Sequence, residues 1–168
     1  MIKTHRMSLI PLSMQHLETG LASVRQLSGE LNIPIVADLM SGVAAEAINK
    51  KLAIMRDLPA ELHPWCTYWL LVLDSDKIGM GLAGFKGVPD AGGSVEIGYG
   101  INPIYEGRGY MTEAVCALVE WAFSHPECQQ VTANTLPDNI ASRKVLVKNG
   151  FSETGSAGGE VVYRITRE

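Results

Sequence analysis

What this chain lacks narrows its class before any motif is considered. It has three cysteines, Cys66, Cys116 and Cys128, in no CxxC spacing, so neither a disulfide framework nor a zinc site is suggested and buried free thiols are expected. No stretch approaches the roughly 20 apolar residues needed to cross a membrane. The apolar run in the basic start MIKTHRMSLIPL is too short for a secretory segment. The expected address is the cytoplasm, with no membrane partner. Lys and Arg number 14 against 18 Asp and Glu, a formal charge of -4, which leaves no cationic surplus to neutralise a phosphate backbone and argues against nucleic acid as a partner. Internal repeats and low-complexity tracts are absent.

What is there suits a globular fold. The 168 residues, 46% apolar and 19% charged, are expected to form one domain over positions 1–168, large enough to bury about two-thirds of its unfolded surface. A strand is expected near Met7 to Pro11, and Ser13 can cap a helix through about Leu27. Ala44, Ala47, Ile48, Leu52, Met55 and Leu58 recur at intervals of three and four, one stripe of a helix from about Ser41 to Leu58 that Pro59 stops. LNIPIVAD between the two helices reads as a linker. From Thr67, YWLLVL, the turn Asp74-Ser75-Asp76-Lys77 and Ile78 to Phe85 form a hairpin. Strand Ser94 to Ile101, helix Tyr110 to Ser124, strand Gln130 to Thr135 and helix Asn139 to Asn149 follow. Phe151 to Thr154 and Val161 to Thr166 close the chain as strands. This order predicts an α/β (α+β) fold, a mixed, mostly antiparallel twisted sheet of about six to seven strands flanked by about four helices.

Two glycine clusters invite a phosphate. Gly79 to Gly84, IGMGLAGF, spells GxGxxG, but FKGVPDAGG follows it with no helical period. A dinucleotide loop must open a helix, so these glycines are assigned instead to a twisted or bulged strand under close approach. Glu106-Gly107-Arg108-Gly109-Tyr110-Met111 does follow a strand and open a helix. Its glycines permit positive φ, its amides can converge on an anion at a helix N-terminus, and Arg108 adds a charge. The plain alternative is a tight turn that caps a helix.

Around that loop, VEIGYGINPIYEGRGYMTEA resembles the GNAT superfamily of N-acetyltransferases, in which a strand runs into a Q/R-x-x-G-x-G/A loop for the coenzyme A pyrophosphate. It looks closest to the acetyltransferases of ribosomal-protein N-termini. A second block, Asp138 to Phe151, DNIASRKVLVKNGF, resembles that family's late helix with its Asn, a Ser three residues on, and a terminal Gly-Phe. The resemblance is specific over roughly positions 94–151. It implies a V-shaped cleft for acetyl-CoA, held by Tyr99, Gly100 and Ile101 along a strand, by Glu106, Gly107, Arg108, Gly109, Tyr110 and Met111 in the loop, and by Asn139 and Ser142. No metal is implied. Glu106 stands where Gln or Arg is usual, Met111 where Gly or Ala is usual, and Leu146 where many members carry a Tyr general acid. Glu106 must then point outward and the backbone amides do most of the binding.

Acetyl transfer needs a base, a polarised carbonyl and a departing thiolate. The resemblance puts Glu96 in the role of general base, and an amide near Tyr99 to Ile101 at the carbonyl. With Leu146 unable to give a proton, the thiolate leaves through Ser142, Tyr110 or water. A solvated or ion-paired strand carboxylate is the bland reading of Glu96; an N-cap is that of Asn139. Thr112 and Glu113 are expected to cap the helix. His63, Trp65, Tyr68 and Trp69 could wall an acceptor pocket, although such aromatics are more often core. The acceptor is expected to be a small-molecule amine or a peptide N-terminus, and a homodimer stays open. The competing reading is a non-catalytic acetyl-CoA sensor. An NAD-type oxidoreductase built on Gly79 to Gly84 is the weakest.

Overall fold

A computed structural model describes residues 1–167. Eight strands form one sheet in the order β1-β2-β3-β4-β5-β6-β8-β7. They are β1 (Ile2–Lys3), β2 (Met7–Pro11), β3 (Trp69–Leu73), β4 (Ile78–Phe85), β5 (Ser94–Ile101), β6 (Gln130–Thr135), β7 (Ser152–Ala157) and β8 (Glu160–Thr166). Six α-helices accompany them: α1 (Met14–Ala22), α2 (Val24–Leu31), α3 (Gly42–Arg56), α4 (His63–Cys66), α5 (Tyr110–Phe123) and α6 (Ile140–Lys148). Among the described residues every strand pair is antiparallel except β5 with β6. The mixed, mostly antiparallel sheet matches expectation, with more elements than the sequence pattern separates.

Three of those extra elements have local causes. The expected helix from Ser13 to Leu27 is two helices. Ser23, extended at φ -164°, ends α1 and caps α2 through its side chain, which accepts from the Gln26 amide; a serine that competes for backbone bonds breaks a continuous apolar period. The short strand β1 pairs Ile2 with Leu9 and is too brief to show alternation. In α4, Pro64 lies in the first turn, where its missing N–H costs nothing.

The centre of the sheet is the most apolar part. All of β3 is buried, as a strand covered on both faces must be. Trp65, Trp69, Phe85 and Trp121 pack beside His125, with the Trp65 and Trp121 rings 4.5 Å apart. Trp65 and Trp69 are therefore core. The His63 ring Nε2 donates to the carbonyls of Met55 and Leu58 and closes the end of α3. Cys66 and Cys128 are buried free thiols as expected, but Cys116 is exposed: α5 turns it away from the sheet, a periodicity that a count of cysteines does not report.

Candidate functional site

The site begins where two strands part. β5 and β6 pair in parallel only from Ser94 with Gln130 to Glu96 with Thr132. Beyond Glu96 they diverge, and a cleft of about 720 Å³ opens between the end of β5, the loop into α5, and α6. Of the residues expected to hold the cofactor, Tyr99, Gly100, Ile101, Glu106, Gly107, Gly109, Tyr110, Met111, Asn139 and Ser142 all line it, while Arg108 lies outside the wall. Lys144 and Lys148 of α6 also line it. They share this cleft with the exposed Glu106, which lines it as well.

The loop takes the shape its glycines allow. Gly107 (φ +72°) and Gly109 (φ +80°) are both left-handed, a conformation that costs an L-residue about 1–2 kcal/mol. Gly109 is the N-cap of α5 and no side chain caps that end, so the first-turn amides are available to an anion. Glu113 does not perform the capping expected of it. Its carboxylate accepts from the Thr4 hydroxyl (2.6 Å), the Arg6 amide (2.8 Å) and Arg6 Nε (2.8 Å). Arg6 Nη1 donates to the Arg108 carbonyl at 3.0 Å, and the guanidinium lies 4.4 Å from the Tyr110 ring centre. The segment between β1 and β2 thus clasps the loop. Burial works to raise the Glu113 carboxyl, but the bonds from Thr4 and Arg6 outweigh it and hold the group below its ordinary value. No sequence signal marks this clasp, because Arg6 and Glu113 are 107 positions apart.

Inside the cleft, α6 presents its first turn. Asn139 Oδ1 accepts from the Ser142 amide, so the expected N-cap is real. The Ser142 hydroxyl is 3.0 Å from the Tyr99 hydroxyl. Burial, partly offset by Ser142, pushes the Tyr99 hydroxyl up to about 12, so it stays protonated at neutral pH and can donate to Ser142 Oγ. Leu146 is fully buried: the helix turns this position into the core.

Alternation along β5 divides its side chains between two faces. Val95, Ile97 and Tyr99 share the side of α5 and α6; Glu96, Gly98 and Gly100 share the other with Lys86, Gly84 and Leu82, their partners in β4. Glu96 is ion-paired to Lys86 and lines neither cavity at the end of β5. Gly98 and Gly100 leave the strand bare from Glu96 to the cleft: added Cβ atoms would meet only Lys86 Cε at 3.7 Å and nothing at all, respectively. On this second face a cavity of about 290 Å³ is lined by Asp38, Tyr68, Leu82, Asn102 and others, and it shares Tyr99, Gly100 and Ile101 with the first. The end of β5 is thus a partition between two cavities. Lys51 supports Tyr68, its buried Nζ 4.4 Å from the ring centre and bonded to the carbonyls of Phe85, Cys66 and Thr67. Burial lowers the Lys51 ammonium to about 8. Asp38 and Lys51 were both missed by sequence reasoning, the first in an apparent linker, the second on the apolar stripe of α3.

A strand that parts from its neighbour beside a glycine loop at a helix N-terminus defines a known class. The family model for the acetyltransferase (GNAT) domain matches residues 21–152, and the chain belongs to that family. The uncharacterized N-acetyltransferase YjdG of Bacillus subtilis is 37% identical over 83 residues, 49% of each chain. The probable N-acetyltransferase YjcK of the same organism is 39% identical over 61 residues, 36% of this chain and 34% of that one. The matched segment thus spans about a third to a half of these curated relatives. Among solved structures, the ribosomal-protein-S5-alanine acetyltransferase of Vibrio fischeri superposes with a TM-score of 0.69 at 17% identity, covering 98% of this chain and 95% of that one. The ribosomal L7/L12 α-N-protein acetyltransferase RimL, in complex with coenzyme A, gives 0.67 at 15%, covering 97% and 95%. At such identities these likenesses speak for the fold. No helix among the described residues is long and apolar enough to cross a membrane.

Proposed function

We propose that this chain transfers an acetyl group from acetyl-CoA to the primary amine of a small molecule or a peptide N-terminus by direct attack on the thioester. The observation that carries the reading is the cleft at the end of β5, walled by the glycine loop on one side and by α6 on the other. Acetyl-CoA supplies the activated acyl group; the protein binds, orients and moves protons. The amides of Gly107 to Met111 at the N-terminus of α5 receive the pyrophosphate, and Lys144 and Lys148 add charge. The backbone of Tyr99 to Ile101, paired with β4 on one edge and free on the edge that β6 has left, pairs with the pantetheine arm, and an amide there polarises the carbonyl.

The proton steps follow from the two faces of β5. The amine nitrogen forms the C–N bond as the C–S bond breaks, so one proton must leave nitrogen and one must reach sulfur. Glu96, on the acceptor face and linked to the cleft by the bare strip of Gly98 and Gly100, takes the first through a chain of waters along that strip. Ser142 gives the second, with Tyr99 donating to its oxygen and so orienting its hydrogen. A thiol of ordinary pKa near 8.5 departs without strong acid assistance.

The test is to incubate the protein with acetyl-CoA and a panel of amines, following free thiol and the mass of the acetylated product. Product with stoichiometric thiol release is expected. Thermal stabilisation by coenzyme A with no acetylated amine would instead support the sensor reading. Glu96→Gln should slow turnover on the order of 10²-fold at neutral pH; an unaltered pH-rate profile would take Glu96 out of the role.

A further inference from the structure

The second cavity has a composition that the cofactor does not use. Among its lining residues Asp38 alone carries a formal charge at neutral pH. Its Oδ1 accepts from Asn102 Nδ2 at 3.2 Å, and its carboxylate has no other partner among the described residues. Tyr68 and Tyr99 are neutral and Leu82 is apolar, so the remainder of the wall suits methylene groups. The N-terminus of α3 also reaches the cavity, but it contributes roughly half a positive charge against a full negative one. Tyr68 already has Lys51 beside its ring, which leaves Asp38 as the place for an added cation. At about 290 Å³ the space equals roughly ten waters at about 30 Å³ each, the size of a short chain with two ends.

We infer that Asp38 recognises the acceptor, and that the acceptor is a compact amine bearing a second cationic group. One nitrogen reaches Gly100 and Ile101 at the partition, where the two cavities meet. The other is held by Asp38. The inference rests on the acetyltransferase reading and sharpens it, since that reading leaves the acceptor class open. Asp38 binds the nitrogen that does not react, so it sets selectivity and takes no part in the proton steps. Asn102, which follows the partition directly in sequence, fixes the carboxylate relative to the reacting end. The arrangement favours a dication over a monocation of equal length because only the dication fills the walls and meets the charge.

The experiment compares 1,5-diaminopentane with pentylamine, which match in length and differ by one charge. Asp38 is exposed, so wild-type kcat/KM should favour the diamine by about fivefold, the upper size of one exposed ion pair. Asp38→Asn keeps an oxygen for Asn102 but loses the charge, and should bring the two amines level while KM for acetyl-CoA stays unchanged. No diamine preference in the wild type, or a preference that survives in D38N, overturns the inference and leaves the transferase reading intact. Titration with coenzyme A in a calorimeter separates the two claims. If coenzyme A does not bind, the transferase reading fails and this inference falls with it. If it binds and neither amine is acetylated, 1,5-diaminopentane titrated into the coenzyme-A-saturated protein decides: binding lost in D38N supports Asp38 recognition, and no binding to the wild type ends it.

Discussion

The glycines of β4 and those of the loop before α5 put one residue type to opposite uses. Gly79, Gly81 and Gly84 adopt no positive φ; they are glycine because something stands where a Cβ would be. A Cβ on Gly84 would lie 2.3 Å from the Thr67 carbonyl oxygen, and one on Gly81 would lie 2.9 Å from that of Gly100. The register shifts within this strand, with Leu71 opposite Gly81 and Val72 opposite Gly79, so it is the bulged, closely approached strand the sequence suggested. Gly107 is the reverse, with open space at its Cβ position and a backbone only glycine adopts cheaply. A string of glycines is therefore ambiguous between crowding and conformation, and only the neighbouring elements separate the two.

Alanine scanning should break the comparison cleanly if it is wrong. Gly84→Ala forces the Thr67 backbone aside and should cost about 3 kcal/mol of stability, read from urea unfolding. An unchanged midpoint would mean that β4 tolerates a Cβ. The change Gly107→Ala should cost less, about 1–2 kcal/mol, yet raise KM for acetyl-CoA on the order of tenfold, because strain there falls on the anion-binding amides. Equal KM in this variant and the wild type would remove the loop from cofactor binding.

Arg6 sharpens the contrast, since it holds the loop from outside. Arg6→Ala should cost about 1 kcal/mol and raise KM for acetyl-CoA several-fold with kcat little changed. Arg6→Lys should recover only part of this, lacking the fork that reaches both Glu113 and the Arg108 carbonyl. Because the Glu113 carboxyl is held below its ordinary value of 4.5, its contribution is present above that pH and lost as pH falls through the folded value. Wild type and Arg6→Ala should converge in stability under acid.

The smallest effect lies beside Gly84, whose missing Cβ lets the Thr67 carbonyl approach and meet Lys51. The Lys51 ammonium titrates near 8 in the fold against an ordinary 10.5, so above about pH 8 the unfolded chain binds more protons and stability rises with pH. Between pH 8 and pH 9 the gain should be about 1 kcal/mol. Lys51→Met should flatten it, and an equal slope in both proteins would place the pH dependence elsewhere.

Much of the cleft was legible because its parts are local. The φ demand at Gly107 and Gly109, the N-cap at Asn139 and the helix that begins at Tyr110 each depend on residues a few positions away. The resemblance added the order in which they meet. Glu113 was misread for the complementary reason: first-turn acids usually cap, and nothing near it announces Arg6. The break at Ser23 was hidden within a continuous apolar period.

The sequence by itself determined the order of the longer strands and helices, the shape of the loop before α5, the rejection of Gly79 to Gly84 as a nucleotide loop, and the family. Tertiary structure alone decided that Arg6 clasps the loop, that Tyr99 stands against Ser142, and that Asp38 faces the end of β5 from an apparent linker. Local geometry is set by sterics and hydrogen bonds among neighbours in the chain. These three contacts join segments tens of residues apart, and they exist only because the sheet order and the parting of β5 from β6 bring those segments together.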